Sequence, residues 1–386
     1  MKKALKIIGI IFAVIMVILL LIYFFVLQYP NLKKNPKVGK WYHISGGEMK
    51  SSDGSSYRAF FKKGSENKVL IYFAGGGMSI NEDTARSGEF NTKIAGIDVL
   101  ANFMMNMGGL ATDSDSNPLR DWTIIAFPYS TGDCHTGTNE FKYTDKDGKE
   151  RILYHYGYKN YSYVMQQVMK YGGVNDPDSV IVTGYSAGAF GAAMLAEDVF
   201  TNYFPNTQSK NVLVDAALLL NDDWHSIAAD VWKTPTEISD RINGNNITQD
   251  CLASLHEKYG DNVHILYDTS TRDGDMAKGQ YFCDTGDGSI EATEEMGDRY
   301  QALLKEHLPE LKEKTGAYLF VWDGMSWYDK PINLTAHTII ATPNVYQAFE
   351  PQGKSISEWL NDAVNGDLND YGLDLVDKVY EKTENK

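Results

Sequence analysis

VTGYSAGAFG, residues 182–191, joins two different kinds of apolar sequence. The run before it, Ser179 to Thr183 (SVIVT), is short, continuous and β-branched, and reads as a strand buried on both faces in a parallel sheet. The run after it, Ala187 to Phe200, is Ala-rich with helical periodicity. Between them Gly184, Ser186 and Gly188 make a G-x-S-x-G pattern. A strand turning this sharply into a helix needs small residues two positions before and after the serine. The turn then lifts the Ser186 hydroxyl above the sheet edge, where the helix N-terminus aims its orphan N–H groups. Glycines beside a serine also arise by chance, or serve only close helix–sheet packing. The strand before and the helix after distinguish a nucleophile from those cases.

The same alternation continues on both sides. Trp41 to Lys63 reads as antiparallel strands with a turn at Ser52-Asp53-Gly54. Lys68 to Ala74 (KVLIYFA), closed by Gly75-Gly76-Gly77, and Trp122 to Pro128 (WTIIAFP) read as further buried strands. Val214 to Leu220, Asn262 to Tyr267 and Ala317 to Trp322 continue the series, with helices expected over Tyr161 to Tyr171 and Arg299 to Lys314. Strands alternating with helices predict an α/β fold with a mostly parallel sheet flanked by helices. Trp224 to Leu255 and Tyr281 to Met296 are less regular and read as insertions or caps above the sheet.

A serine hydroxyl is a weak nucleophile until a base removes its proton. In a strand–serine–helix arrangement of this kind an acid and then a histidine follow in chain order, on loops after later strands. His43, His135 and His155 precede the serine. Of the later histidines, His264 falls inside a strand, His256 and His307 on helical stretches, and His225 too early. His337, in the loop after the last strand, is the expected base. The acid belongs in the loop DTSTRDGDM, which offers Asp268, Asp273 and Asp275. Asp268 sits at the strand end, where it can simply cap a turn; Asp273, deeper in the loop with Gly274 behind it, is preferred. An oxyanion hole needs backbone N–H groups, one from Ala187 and another from the Gly75-Gly76-Gly77-Met78 loop. That loop lacks the G-K-[ST] of a phosphate cradle.

The chain has 386 residues and a net charge of −15, which argues against a nucleic-acid partner, because phosphate binding needs clustered Lys and Arg. Three cysteines, Cys134, Cys251 and Cys283, allow at most one disulfide and no C-x-x-C metal site. Ile7 to Leu27 is an uncharged apolar run preceded by Lys2, Lys3 and Lys6. It is long enough to span a bilayer of about 30 Å and ends without a cleavage site. The expected organisation is therefore a membrane anchor over residues 1–29 with a transmembrane helix over 7–27, a linker over 30–40 and a catalytic domain over 41–386. Positive residues ahead of the run favour an outside position for the domain, and Lys33, Lys34, Lys37 and Lys40 after it oppose that.

Together AGGGM, NPLRDWTIIAFPYSTGDCHTG, GYSAGAFG, DTSTRDGDM and NLTAHTII, in order from about Val69 to His337, resemble the pectin acetylesterase family, its bacterial branch most. That family contains polysaccharide deacetylases and a protein deacylase. The resemblance implies an α/β-hydrolase-like fold, no cofactor, and hydrolysis of carboxylic esters, usually O-acetyl groups on glycans. On the matching positions Ser186 is the nucleophile, Asp273 the acid and His337 the base, with Gly77, Met78 and Ala187 as oxyanion donors. Met78-Ser79 replaces the family's common aromatic–Cys pair, and Ser130 replaces a usual cysteine. Asp133, His135 and Trp224 lie at expected strand ends and are candidate substrate-binding residues, with loop hydrogen bonding and packing under a cap as the plainer alternatives. The rivals to a glycan acetylesterase are a lipid or acyl-protein deacylase, with Met78, Met104, Met105 and Met107 as a possible acyl lining, and a non-catalytic membrane-tethered binding protein.

Overall fold

The computed structural model describes residues 26–325, 330–350 and 352–381, together with residues 12, 15 and 16. Among them the strands are β1 Trp41–Lys50, β2 Ser56–Lys62, β3 Lys68–Phe73, β4 Thr123–Phe127, β5 Glu140–Thr144, β6 Glu150–Tyr154, β7 Ser179–Tyr185, β8 Ser209–Asp215, β9 Val263–Ser270 and β10 Tyr318–Trp322. The longer helices are α1 Glu82–Ser87, α2 Asp98–Met105, α3 Gly157–Tyr171, α4 Ala187–Asp198, α5 Ile247–Tyr259, α6 Gly274–Thr285, α7 Glu294–Thr315 and α8 Ile356–Val364.

One sheet runs β1-β2-β4-β3-β7-β8-β9-β10, and β5 pairs with β6 as a separate hairpin. From β4 to β10 every neighbouring pair is parallel; β1 and β2 add an antiparallel edge. This is the expected α/β architecture, and the burial of β3, β4 and β7 explains why their sequences are continuously apolar rather than alternating. The chain leaves β3 for β4 on one side and returns to β7 on the other. Strand order therefore reverses between β3 and β7, and the crevice at their C-terminal ends is where an open α/β sheet places its ligand site. Helix α4 is buried on all sides, packed on β3, β7, β8 and α5, which accounts for its Ala- and Gly-rich sequence.

One expected strand is shifted, and residues 30–40 bond to the sheet edge. The strand expected over Val214 to Leu220 is instead Ser209–Asp215. Ala216 takes a positive φ of 61° and ends it. The polar start of β8 is tolerated because Asn211 donates to the Val180 carbonyl and meets His264 Nδ1 at 3.0 Å. Residues 30–40, expected as a linker, are partly built into the domain: the Leu32 amide donates to the His43 carbonyl, the His43 amide to Pro30, and the Gly39 amide to Lys63. The reason is packing, since Leu32 is buried and Tyr29 stacks on Trp41.

The expected transmembrane helix over 7–27 lies almost wholly outside the described residues. Among the described residues no helix is long and apolar enough to cross a membrane. Helix α7 starts five residues ahead of its expected start, at Glu294, because Thr293 caps it by accepting from the Met296 amide. All three cysteines are free thiols.

Candidate active site

Ser186 stands between β7 and α4 with φ 54° and ψ −130°, a conformation that residues with a side chain avoid. The surroundings enforce it. A Cβ on Gly184 would lie 2.2 Å from the Gly188 carbonyl oxygen, and one on Gly188 would lie 2.1 Å from that of Phe73. The Ser186 amide donates to the Asp215 carbonyl at 2.9 Å. The G-x-S-x-G spacing is thus a steric requirement of the turn.

The Gly75–Met78 loop leaves β3 directly against this turn. A Cβ on Gly75 would lie 2.4 Å from the Tyr185 carbonyl oxygen and 2.7 Å from the Ser186 Cβ. Gly77 has φ +79°, and its missing side chain leaves room for the Glu89 carbonyl at 2.4 Å. The amides of Gly77 and Met78 have no protein acceptor among the described residues. The Ala187 amide opens α4 and is one of that helix's orphan donors. Such donors beside a serine suit a developing oxyanion.

Asp273 and His337 meet at the same edge of the sheet. Asp273 caps α6, accepting from the Asp275 and Met276 amides through Oδ1, and its Oδ2 accepts from His337 Nδ1 at 2.8 Å. Asp273 is fully buried, and the His337 side chain keeps 16% of its surface exposed. Burial disfavours the imidazolium. The charge and hydrogen bond of Asp273, with Asp275 and Asp215 behind them, outweigh that and raise its pKa to about 9. Among the described residues no hydrogen bond joins Ser186 to His337. Asp215 connects their segments: its carbonyl takes the Ser186 amide and its Oδ2 takes the Ile339 and Ile340 amides.

Asp268 is separate from this arrangement. It is fully buried, accepts from Trp322 Nε1 at 3.2 Å, and is raised well above the carboxylate range by burial and by the charge of Asp215 beside it. A carboxyl kept protonated cannot serve as the anionic partner of an imidazolium.

The candidates Asp133, His135 and Trp224 are placed differently from the expectation of substrate contact. Asp133 is buried and accepts from Thr131 Oγ1 and from the amides of His135, Gly137 and Gly157. Its pKa rises to about 6, since burial exceeds the effect of those donors. His135 is buried, with Nε2 at 2.9 Å from the Ala74 carbonyl, and burial lowers its pKa to about 4. The His135 ring thus braces the strand end that carries the glycine loop, while Asp133 ties its own loop to the first residue of α3. Trp224 is 1% exposed, donates to the Leu219 carbonyl and packs on Phe190 and Trp232, so its ring has no face to offer a sugar. Sequence reading passed over Asp215. An acid closing the apolar strand NVLVD is the signal that marks it.

A family model described as pectinacetylesterase matches residues 47–259, which include the glycine loop and Ser186 and end ahead of Asp273 and His337. No curated protein matches the chain. Among solved structures the chain is similar to the Wnt deacylase Notum from Drosophila, with a TM-score of 0.57, 13% identity, and coverage of 88% of this chain and 95% of that one. At that identity the likeness speaks for the fold.

Proposed function

The chain belongs to the pectinacetylesterase family, and from that premise we propose that it is a serine carboxylic-ester hydrolase of the family's bacterial type that removes O-acetyl groups from a glycan. The observation that carries this reading is the 2.8 Å contact between His337 Nδ1 and Asp273 Oδ2, on the edge where Ser186 occupies its strained turn. In the proposed cycle Nε2 of His337 takes the Ser186 proton as Oγ attacks the ester carbonyl. The amides of Ala187, Gly77 and Met78 hold the oxyanion, and Asp273 keeps the imidazole in the required tautomer. The alcohol leaves with the proton from His337, and water, deprotonated by His337, releases the acid from acyl-Ser186.

A Notum-like deacylase is the second reading, supported by one feature. Met104, Met107 and Phe103 on and just after α2 are half or more exposed, and α2 touches the serine turn, since Tyr185 Oη donates to the Met105 carbonyl. The same proposal includes a single-pass membrane anchor over residues 1–29 with the domain outside the cytoplasm, supported by the apolar run Ile7 to Leu27 and the lysines ahead of it.

The test is hydrolysis of p-nitrophenyl esters from acetyl to octanoyl by the full chain and its Ser186→Ala variant. Loss of more than about 1000-fold in the variant is expected, with wild-type activity falling as the acyl chain lengthens. A rise toward octanoyl would favour the deacylase. Wild-type rates in a folded Ser186→Ala protein would overturn the serine mechanism, and inertness of the wild type to esters and to a serine-reactive fluorophosphonate would favour a binding protein.

A further inference from the structure

Asp215 closes β8 and Asp268 lies opposite it in β9, in register. Both are fully buried. Each carboxyl has one oxygen with a protein donor: Asp215 Oδ2 receives the Ile339 amide at 2.8 Å and the Ile340 amide at 2.9 Å, and Asp268 Oδ1 receives Trp322 Nε1. Each also has one buried oxygen with none, Asp215 Oδ1 and Asp268 Oδ2. Two adjacent buried carboxylates repel each other, and two unpartnered oxygens are costly, but a single proton between the carboxyls answers both problems. The proton belongs on Asp268, because two amide donors favour the charged form of Asp215.

We infer that Asp215, completed by Asp268, is a positioning residue that holds His337 over the Ser186 turn. The amides it grips follow His337 by two and three residues, across Thr338, whose φ of 59° turns the chain so that both N–H groups reach one oxygen. Its backbone carbonyl takes the Ser186 amide. One residue at a strand end is thereby bonded to the segments of both groups, between which no direct hydrogen bond is found among the described residues. The titratable groups facing Asp215 are Asp268 and Tyr267 on β9, Tyr72 on β3, Tyr185 on the serine turn, and His337. Burial raises all three phenols, so they stay neutral and Asp215 is the charge of the set that His337 meets. Burial likewise raises Asp215, to about 6, against the pull of the Ile339 and Ile340 amides and of His337. His337 faces Asp273, Asp275 and Asp215.

The inference rests on the esterase reading for its catalytic meaning, so the experiment pairs a rate with a titration that needs no turnover. In the full chain, Asp268→Asn puts an amide where the shared proton sits and leaves Asp215 charged. Asp215→Asn moves the charge to Asp268 and weakens the grip on Ile339 and Ile340. Ester kinetics and the pKa of His337, followed by NMR of its ring carbon, are measured in both folded variants. Asp268→Asn should stay within about threefold of wild type. Asp215→Asn should lose about 10- to 100-fold in kcat with little change in KM, and its His337 should titrate lower. Equal losses in both variants, or an unmoved His337 titration in Asp215→Asn, would overturn the inference. If Asp215→Asn does not fold, Asp268→Asn decides alone, and a loss beyond tenfold refutes it. A wild type without esterase activity would refute the functional reading, while the titration would still report on the pair.

Discussion

Asp268 and Asp273 are five residues apart, and their surroundings differ. Asp273 accepts two amides at a helix N-terminus and an imidazole N–H. Asp268 faces a second carboxyl in the core. Asp273→Asn should therefore lower kcat by about 10,000-fold by losing the imidazole's correct tautomer, and steady-state kinetics beside Asp268→Asn checks it. Comparable activity in the two variants would contradict the assignment. The raised pKa of His337 has two consequences of opposite sign. Catalysis needs the neutral ring, so kcat/KM should climb with pH to a half-point above the ordinary imidazole value of about 6.5. The His337–Asp273 ion pair contributes folding stability that is fully present below about 6.5 and is lost as pH rises through about 9. A pH–rate profile with its half-point at or below 6.5 would show that burial wins after all. The positions of Ser186, His337 and Asp273 at one sheet edge were readable because chain order and loop position single them out. The role of Asp215 was not, because it depends on a partner 53 residues away in the adjacent strand.

At the level of elements, the turn from β7 into α4 has no slack. Gly188→Ala would push a methyl into the Phe73 carbonyl at the end of β3, the strand that leads into the glycine loop. The expected cost is about 1–3 kcal/mol of stability, with a larger proportional loss of ester hydrolysis, since Ser186 and the glycine loop proposed to hold the oxyanion separate together. Thermal melting and kinetics of this variant test it, and an unchanged melting point with full activity would mean the turn relaxes freely. The same packing explains where element prediction succeeded. Strands β3, β4 and β7 are buried on both faces and read as uninterrupted apolar runs. Strand β8 begins with Ser209, Lys210 and Asn211; Ser209 and Asn211 find partners on neighbouring strands and Lys210 donates to the Thr207 carbonyl, so its start is invisible to a hydropathy pattern. The apolar stretch after it is buried as a loop beneath Trp224.

Over the whole molecule charge is unevenly distributed. Residues 1–40 hold seven lysines and no acid, so residues 41–386 carry −22, the chain's −15 less those seven. A body this acidic repels polyanions at long range. At low salt an O-acetylated neutral glycan should be hydrolysed with higher kcat/KM than an O-acetylated polyuronate of matched length, and the gap should narrow as salt shortens the screening length to about 8 Å near 0.15 M. A polyuronate preferred at low salt would refute this charge argument. By itself the sequence determined the α/β class, the serine turn, the glycine loop beside it and the loops that hold Asp273 and His337. Each of these is a local pattern, set by periodicity, by small residues where backbone crowds backbone, and by order along the chain. Only the tertiary structure decided that Asp133 ties its loop to a helix start and His135 braces a strand end, that Trp224 is buried against Phe190 and Trp232, and that Asp215 and Asp268 face each other. Burial and hydrogen-bond partners arise between segments far apart in the chain, and they govern whether a polar side chain is charged, neutral or accessible.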